Sequence, residues 1–230
     1  GSCTAWSLLK RDYQVDLYDK DTPMAHTSQS SSKLLHGGLR YLETGQFKLV
    51  HKALQARQLW LQQAPHLCHQ LELLFPIYKG EGRPKWQIAL GTKLYDALAR
   101  GSGFPKSKWL NANETLHHSP NLKAHDLLGA YSFFDGQMDD YQLGLWVIQQ
   151  IQNLGGQVYT GRPVNSLEEL SDYDAIGNAT GPWVMKLRAQ QPTPPSIEID
   201  WIRGSHILVN QTLAQALMLP LPNEKRIFFV

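Results

Sequence analysis

The chain has 230 residues, 42% apolar and 18% charged, with a net charge of +2. That length can bury a sizeable core in one or two domains, and so small a charge gives no ground for a nucleic-acid partner. Cys3 and Cys68 form neither a disulfide framework nor a metal-ligand spacing, which suits a reducing cytoplasm, and no apolar run reaches the ~18 residues of a membrane span.

Gly1 opens an apolar helical stretch over 3–9, and a strand over 14–18 follows, ending at Asp19. An acidic residue about 20 positions after a glycine turn is the dinucleotide pattern, in which the carboxylate holds a ribose hydroxyl. Gly1 then stands where the third glycine of such a turn belongs, with the first strand and two glycines absent. Since the chain also stops inside an apolar, strand-like run over 227–230, it reads as a fragment cut at both ends. Taken alone, Asp19 is equally a solvated strand end.

Residues 30–41 read Ser-Ser-Ser-Lys-Leu-Leu-His-Gly-Gly-Leu-Arg-Tyr. Hydroxyls and backbone N–H groups near a helix start suit an anion. Gly37 and Gly38 allow a flat ligand to approach the backbone, and Arg40 offers a planar fork for a phosphate or a carboxylate. A polar loop with an ordinary helix cap is the plain alternative.

A helix is expected over 46–63, with Phe47, Val50, Leu54 and Leu61 on one face, and then a strand over 71–78. Residues 79–108 carry seven basic side chains against two acidic, a surplus of five. Within them 84–100 reads as a helix with Trp86, Leu90, Leu94 and Leu98 every fourth residue, flanked by Lys85, Lys93 and Arg100. Such a stripe either packs on the core or lies on an anionic bilayer. Residues 109–121 show no period, and His117-His118 read as a loop pair.

A strand over 128–134 is expected to turn at Asp135-Gly136. Asp139 or Asp140 caps a helix presenting Leu143, Val147, Ile151 and Leu154, which stops at Gly155-Gly156. Short strands follow over 157–160 and 174–179, the second ending at Thr180-Gly181. Pro192-Thr193-Pro194-Pro195 is the best linker, and 201–209 alternates enough to join a second sheet.

The serine-rich block ending in Ser-Lys-Leu-Leu-His-Gly-Gly-Leu-Arg-Tyr resembles that of the FAD-dependent glycerol-3-phosphate dehydrogenases. Ala179-Thr180-Gly181-Pro182-Trp183-Val184 is similar to the family's second flavin-side segment. Arg203-Gly204-Ser205-His206-Ile207 is similar to its Lys-Gly-Ser-His block, with arginine for lysine, and Lys225–Val230 to the strand after Asp-Lys-Arg. These matches keep the family's order from Gly1 to Val230. One departure stands between Thr160 and Asn178, where the family commonly has a longer excursion of strands.

The resemblance implies an α/β fold: a Rossmann-like FAD-binding domain interleaved with a mainly antiparallel-sheet α+β substrate domain, as in glutathione-reductase- and amino-acid-oxidase-like flavoproteins. The expected division is 1–70 and 136–190 for the flavin, 71–135 and 191–230 for the substrate. It implies oxidation of sn-glycerol 3-phosphate to dihydroxyacetone phosphate, with hydride passing to FAD and electrons to a quinone. Cofactor contacts fall on Gly1, Asp19, Ser31, Ser32, Lys33, His36, Gly37, Gly38, Thr180 and Gly181. Arg40 and Tyr41 anchor the substrate phosphate, and His206 is the catalytic candidate, since an imidazole can take the hydroxyl proton. No metal site is expected. Arg40 as a surface cation and His206 as a core histidine are the bland alternatives. The implied setting is the cytoplasm or the cytoplasmic membrane surface, reached through 79–108. An amine or amino-acid oxidase, with Arg40 on a carboxylate, and a non-catalytic membrane-surface module remain as other functions.

Overall fold

In the computed structural model, the described residues are 1–191, 199–202, 204–210, 213, 215–221 and 227–230. The linker candidate 192–195, Arg203 and the Lys225-Arg226 pair lie outside them. The chain forms two compact units, Gly1–Ser31 with Asp140–Ile207, and Ser32–Asp139 with Leu208–Val230. The expected interleaving of an α/β unit with a unit built mainly on antiparallel strands is present. The compact units divide elsewhere than at 70/71, 135/136 and 190/191, because the helix over 47–63 and the strand over 68–78 share one core.

The first unit is built on α1 (Ser2–Leu9), β1 (Asp16–Tyr18), α5 (Asp140–Asn153) and β6 (Gln157–Tyr159). Strands β1 and β6 pair in parallel, Asp16 opposite Gln157 and Tyr18 opposite Tyr159. The fourfold spacing of Leu143, Val147 and Ile151 buries one face of α5, while Leu154 is exposed at its end. Trp6 of α1 meets Trp146 edge-to-face, with centroids 5.6 Å apart. Asp140 opens α5; its carboxylate accepts from the N–H of Tyr141 and from both the N–H and the hydroxyl of Ser31. A short helix, α6, runs over Val184–Arg188.

The second unit centres on β3 (Cys68–Tyr78) and β5 (Leu127–Met138), antiparallel along almost their whole length. The other edge of β5 takes β2 (Leu34–Leu35) and β4 (Lys108–Asn111). Beyond β3 lie β7 (Ala216–Pro220), parallel to it, and β8 (Ile227–Phe229). Val50 and Leu54 of α2 (Phe47–Gln63) join Ile88 and Tyr95 of α3 (Lys85–Leu98) in a core with Leu73, Phe75, Ile77, Phe133 and Met218. Truncating one such side chain, Leu54→Ala, costs about 2–5 kcal/mol by the usual range for buried leucines.

Several expectations are corrected. Strand β5 does not turn at Asp135-Gly136; it continues to Met138, because Gly136 pairs with Gln70 on one side and Leu35 on the other. Residues 109–121 contain most of β4 and all of α4 (Ala112–His118), whose start is a capping box between Asn111 and Glu114. His117-His118 therefore end a helix. In α2 the inward face is Val50, Leu54 and Arg57, and Phe47 is exposed. In α3 the buried face is Ile88, Thr92 and Tyr95, so Trp86 and Leu90 of the fourfold stripe stand 68% and 62% exposed. Residues 174–179 form no strand and stay exposed, with no neighbouring strand among the described residues to hydrogen-bond. The described part of 201–209 likewise forms no strand, and Ile202 and Leu208 are almost fully exposed.

Candidate functional site

In the first unit, α1 leads into β1, and Asp19 follows the carboxyl end of the parallel strand pair. Its N–H donates to the Tyr159 carbonyl at 2.8 Å, and its carboxylate accepts the N–H of Asp21 at 3.1 Å. The acid is thereby fixed, half-buried, at the end of the sheet where open α/β folds take ligands. Gly1 caps α1, and a Cβ there would meet Ala179 and Leu17 at ordinary contact distances of 3.5 and 3.6 Å. The Ala179-Thr180-Gly181 turn is thus brought alongside Gly1. The Thr180 hydroxyl donates to the Asn178 side chain at 2.8 Å, and Gly181 has φ +57°. Ser31 directs its hydroxyl to Asp140. His206 is exposed in an unpaired segment of this unit.

Sequence reasoning missed an aromatic group at the same strand end. Tyr18 stacks on Tyr159 with centroids 4.8 Å apart, and the Arg162 guanidinium lies 5.2 and 5.3 Å from the two rings. The Tyr173 hydroxyl bonds both Tyr18 and Asp16, and its pKa is raised, chiefly by the hydrogen bond to Asp16. The alternation of Tyr18 and Asp16 on β1 was legible; the partner across 155 positions was not.

In the second unit the serine-glycine block wraps from β2 into a 3-10 turn over Leu39–Thr44. Ser32, Lys33 and His36 are exposed, and Lys33 has φ +58° with its carbonyl accepting the N–H of Met138. Gly37 is buried. Its N–H donates to the Tyr95 hydroxyl at 2.7 Å and to Asp135 Oδ1 at 3.2 Å. A Cβ there would come within 2.4 Å of Leu54 and 2.5 Å of the Tyr95 oxygen, so only glycine fits. Gly38, at φ +77°, turns the chain so that Arg40 and Tyr41 emerge side by side, with Arg40 Nη2 3.5 Å from the Tyr41 hydroxyl. Tyr41 packs on the core while Arg40 is exposed. Arg40 also borders an open, mostly apolar cavity of about 150 Å³ lined by Leu42, Phe75, Leu90, Leu94 and Met218. The Arg83 guanidinium closes one side through an ion pair with Glu43.

The block rests on a buried polar network. Asp135 Oδ1 accepts from Arg57 Nη1 at 2.6 Å, from the Tyr95 hydroxyl at 2.7 Å and from Gly37. Burial pushes the Asp135 carboxyl above the ordinary carboxylate range, with Arg57 pulling the other way. The Tyr95 phenol is raised well above its usual value by the same burial and by the facing carboxylate. Asp135 read as a turn residue, and Arg57 was not singled out. The signal available was the place of Arg57, three residues after Leu54 on the apolar face of α2, where a charge needs a partner.

A parallel α/β pair with an acid at its carboxyl end in one unit, and an antiparallel sheet that carries a basic loop in the other, are features of a two-domain protein of the dinucleotide-binding type. The family model described as FAD dependent oxidoreductase matches residues 1–230, and the chain belongs to that family, whose cofactor is FAD. It is 34% identical over 226 residues to the aerobic glycerol-3-phosphate dehydrogenase of Escherichia coli (strain K12), covering 89% of this chain and 44% of that protein. The chain spans a little under half the length of the curated relatives it matches. Among solved structures, L-proline dehydrogenase from P. horikoshii has a TM-score of 0.61 at 15% identity, covering 82% of this chain and 52% of that one. L-alpha-glycerophosphate oxidase from Mycoplasma pneumoniae, with FAD bound, has a TM-score of 0.56 at 16% identity, covering 72% and 43%. These two likenesses concern the fold alone.

Proposed function

We propose that the protein oxidises sn-glycerol 3-phosphate to dihydroxyacetone phosphate and passes the electrons to a quinone. The observation that carries this reading is the Arg40–Tyr41 pair, a guanidinium and a phenol presented together by a glycine-locked turn. Its sequence relatives named as glycerol-3-phosphate dehydrogenases support it. The residues of the first unit fit the dinucleotide side of FAD. Asp19, held at the carboxyl end of β1, would accept from ribose hydroxyls, and Gly1 and Thr180-Gly181 are proposed as backbone contacts to the cofactor. In the second unit, the exposed Ser32, Lys33 and His36 and the buried Gly37-Gly38 form the remaining proposed contacts.

Bound FAD supplies the hydride acceptor that no side chain of this chain provides. Arg40 holds the phosphate bidentately and stays charged, which makes it an anchor and not a base. Tyr41 fixes the direction of that guanidinium through its hydroxyl. His206 takes the proton of the secondary hydroxyl as its carbon gives up hydride. The exposed Trp86 and Leu90, on a helix with Lys85 and Lys93 beside them, provide a surface suited to the anionic bilayer in which a quinone dissolves. Among the described residues no helix is long and apolar enough to cross a membrane.

The test is steady-state kinetics of the FAD-loaded protein with a dye acceptor. Arg40→Ala should mainly raise KM for glycerol 3-phosphate. His206→Ala should lower kcat by about 10²–10⁴-fold, the range for a general base. An unchanged kcat in the His206 variant removes that residue from the chemistry, and an unchanged KM in the Arg40 variant removes the anchor.

A further inference from the structure

Arg57 is 2% exposed, yet only part of its guanidinium is used. Nη1 donates to Asp135 at 2.6 Å and to the Phe134 carbonyl at 3.1 Å. Nε and Nη2 are buried and have no hydrogen-bond partner. These two nitrogens form one edge of the guanidinium, the edge whose parallel N–H bonds match the two oxygens of a carboxylate or phosphate. A buried donor pair left unmet is costly, and a native fold meets such groups with a ligand, an ion or water.

A cavity of about 130 Å³ adjoins this arginine. Beyond Arg57 its walls include Arg100, Lys106, Ser102, Phe104 and Asp96. The Phe104 ring covers the guanidinium face, 3.9 Å from Cζ, so that polar approach is left to the edge. Asp96 is turned to the loop itself, accepting both the N–H and the hydroxyl of Ser107. Three cations therefore line the cavity against this one carboxylate, with Arg100 and Lys106 exposed and Arg57 buried. None of these residues belongs to the cofactor and substrate contacts proposed above.

We propose that this cavity binds a small oxyanion, a phosphate or a carboxylate group, with Arg57 Nε and Nη2 as its inner donors and Arg100 and Lys106 as its outer charges. Phosphate as the free ion and phosphate as part of a larger molecule share this chemistry.

The probe is inorganic phosphate, titrated calorimetrically into the FAD-loaded protein at fixed ionic strength, with acetate as the carboxylate arm. The Arg40→Ala background removes phosphate binding at the proposed substrate anchor, so the two readings fail separately. In that background phosphate or acetate should still bind with a stoichiometry near one. Arg100→Gln with Lys106→Gln, both on the surface, should weaken it about tenfold, the combined range of two exposed charges. Arg57→Lys, which keeps the charge and loses the edge, should weaken it further, with the fold checked by circular dichroism. If Arg57→Lys does not fold, the Arg100/Lys106 variant decides alone. Binding that vanishes with Arg40→Ala, that is indifferent to Arg100 and Lys106, or that is absent altogether overturns the proposal.

Discussion

Gly37 and Gly181 both sit in turns assigned to the cofactor, and the fold treats them in opposite ways. Gly37 is buried, its N–H is shared by Tyr95 and Asp135, and its missing Cβ is the space in which Leu54 and the Tyr95 hydroxyl meet. Gly181 is exposed at φ +57°, with nothing among the described residues within 4 Å of the position a Cβ would take. The first glycine serves the protein's own packing: it lets the loop that carries Arg40 press onto α2 and α3. The second is set by its left-handed backbone, and its proposed role is to leave room for the cofactor. A glycine-rich motif can thus hold two kinds of position, one fixed by side-chain packing and one by backbone conformation.

The largest way to break this contrast is through the network under Gly37. Asp135→Ala leaves Arg57 buried with a single carbonyl partner and should cost about 3–5 kcal/mol, the range for half of a buried ion pair. Urea midpoints measure it; a loss below ~1 kcal/mol would mean that Asp135 does not hold the loop. Gly37→Ala comes next. Its methyl meets Leu54 at 2.4 Å, and overpacking of this kind costs about 1–3 kcal/mol. The variant should also loosen the Arg40 loop, seen as faster proteolysis or amide exchange over 36–44. Smallest is Gly181→Ala, which adds only a left-handed penalty of ~1 kcal/mol to folding. Its cost should appear instead in FAD affinity, read by fluorescence titration of the cofactor. If Gly181→Ala destabilises the apo fold more than Gly37→Ala, the two positions have been assigned the wrong way round.

What the sequence disclosed follows the same division. Helices α2, α3 and α5 were legible from apolar spacing because each buries a face against its own unit, β1 from a short strand-like run ending at Asp19, and β6 from one after Gly155-Gly156. The Asn111-x-x-Glu114 capping box was also in plain view and would have placed α4. Asp135 was not legible: an Asp-Gly pair signals a turn, and only the distant Arg57 and Tyr95 keep it inside a strand. The stripe of α3 left two readings open because Ile88, Thr92 and Tyr95 repeat with nearly the same period as Trp86, Leu90 and Leu94. Spacing alone does not say which of two such faces turns inward. Residues 174–179 and 201–209 have strand composition without strand neighbours, and hydrogen-bond pairing is not written in a single segment. Of the candidate site, residue types and turns were readable; the hydrogen-bond partners that fix them came only with the fold.

Anaerobic mixing of the FAD-loaded protein with glycerol 3-phosphate, glycerol and L-proline in parallel tests the proposed activity most directly. The phosphate anchor at Arg40 requires that glycerol 3-phosphate bleach the yellow flavin absorbance rapidly, that glycerol do so poorly because it leaves the guanidinium unmet, and that proline not do so. Bleaching by proline ahead of glycerol 3-phosphate, or equal bleaching by glycerol and its phosphate, would contradict it.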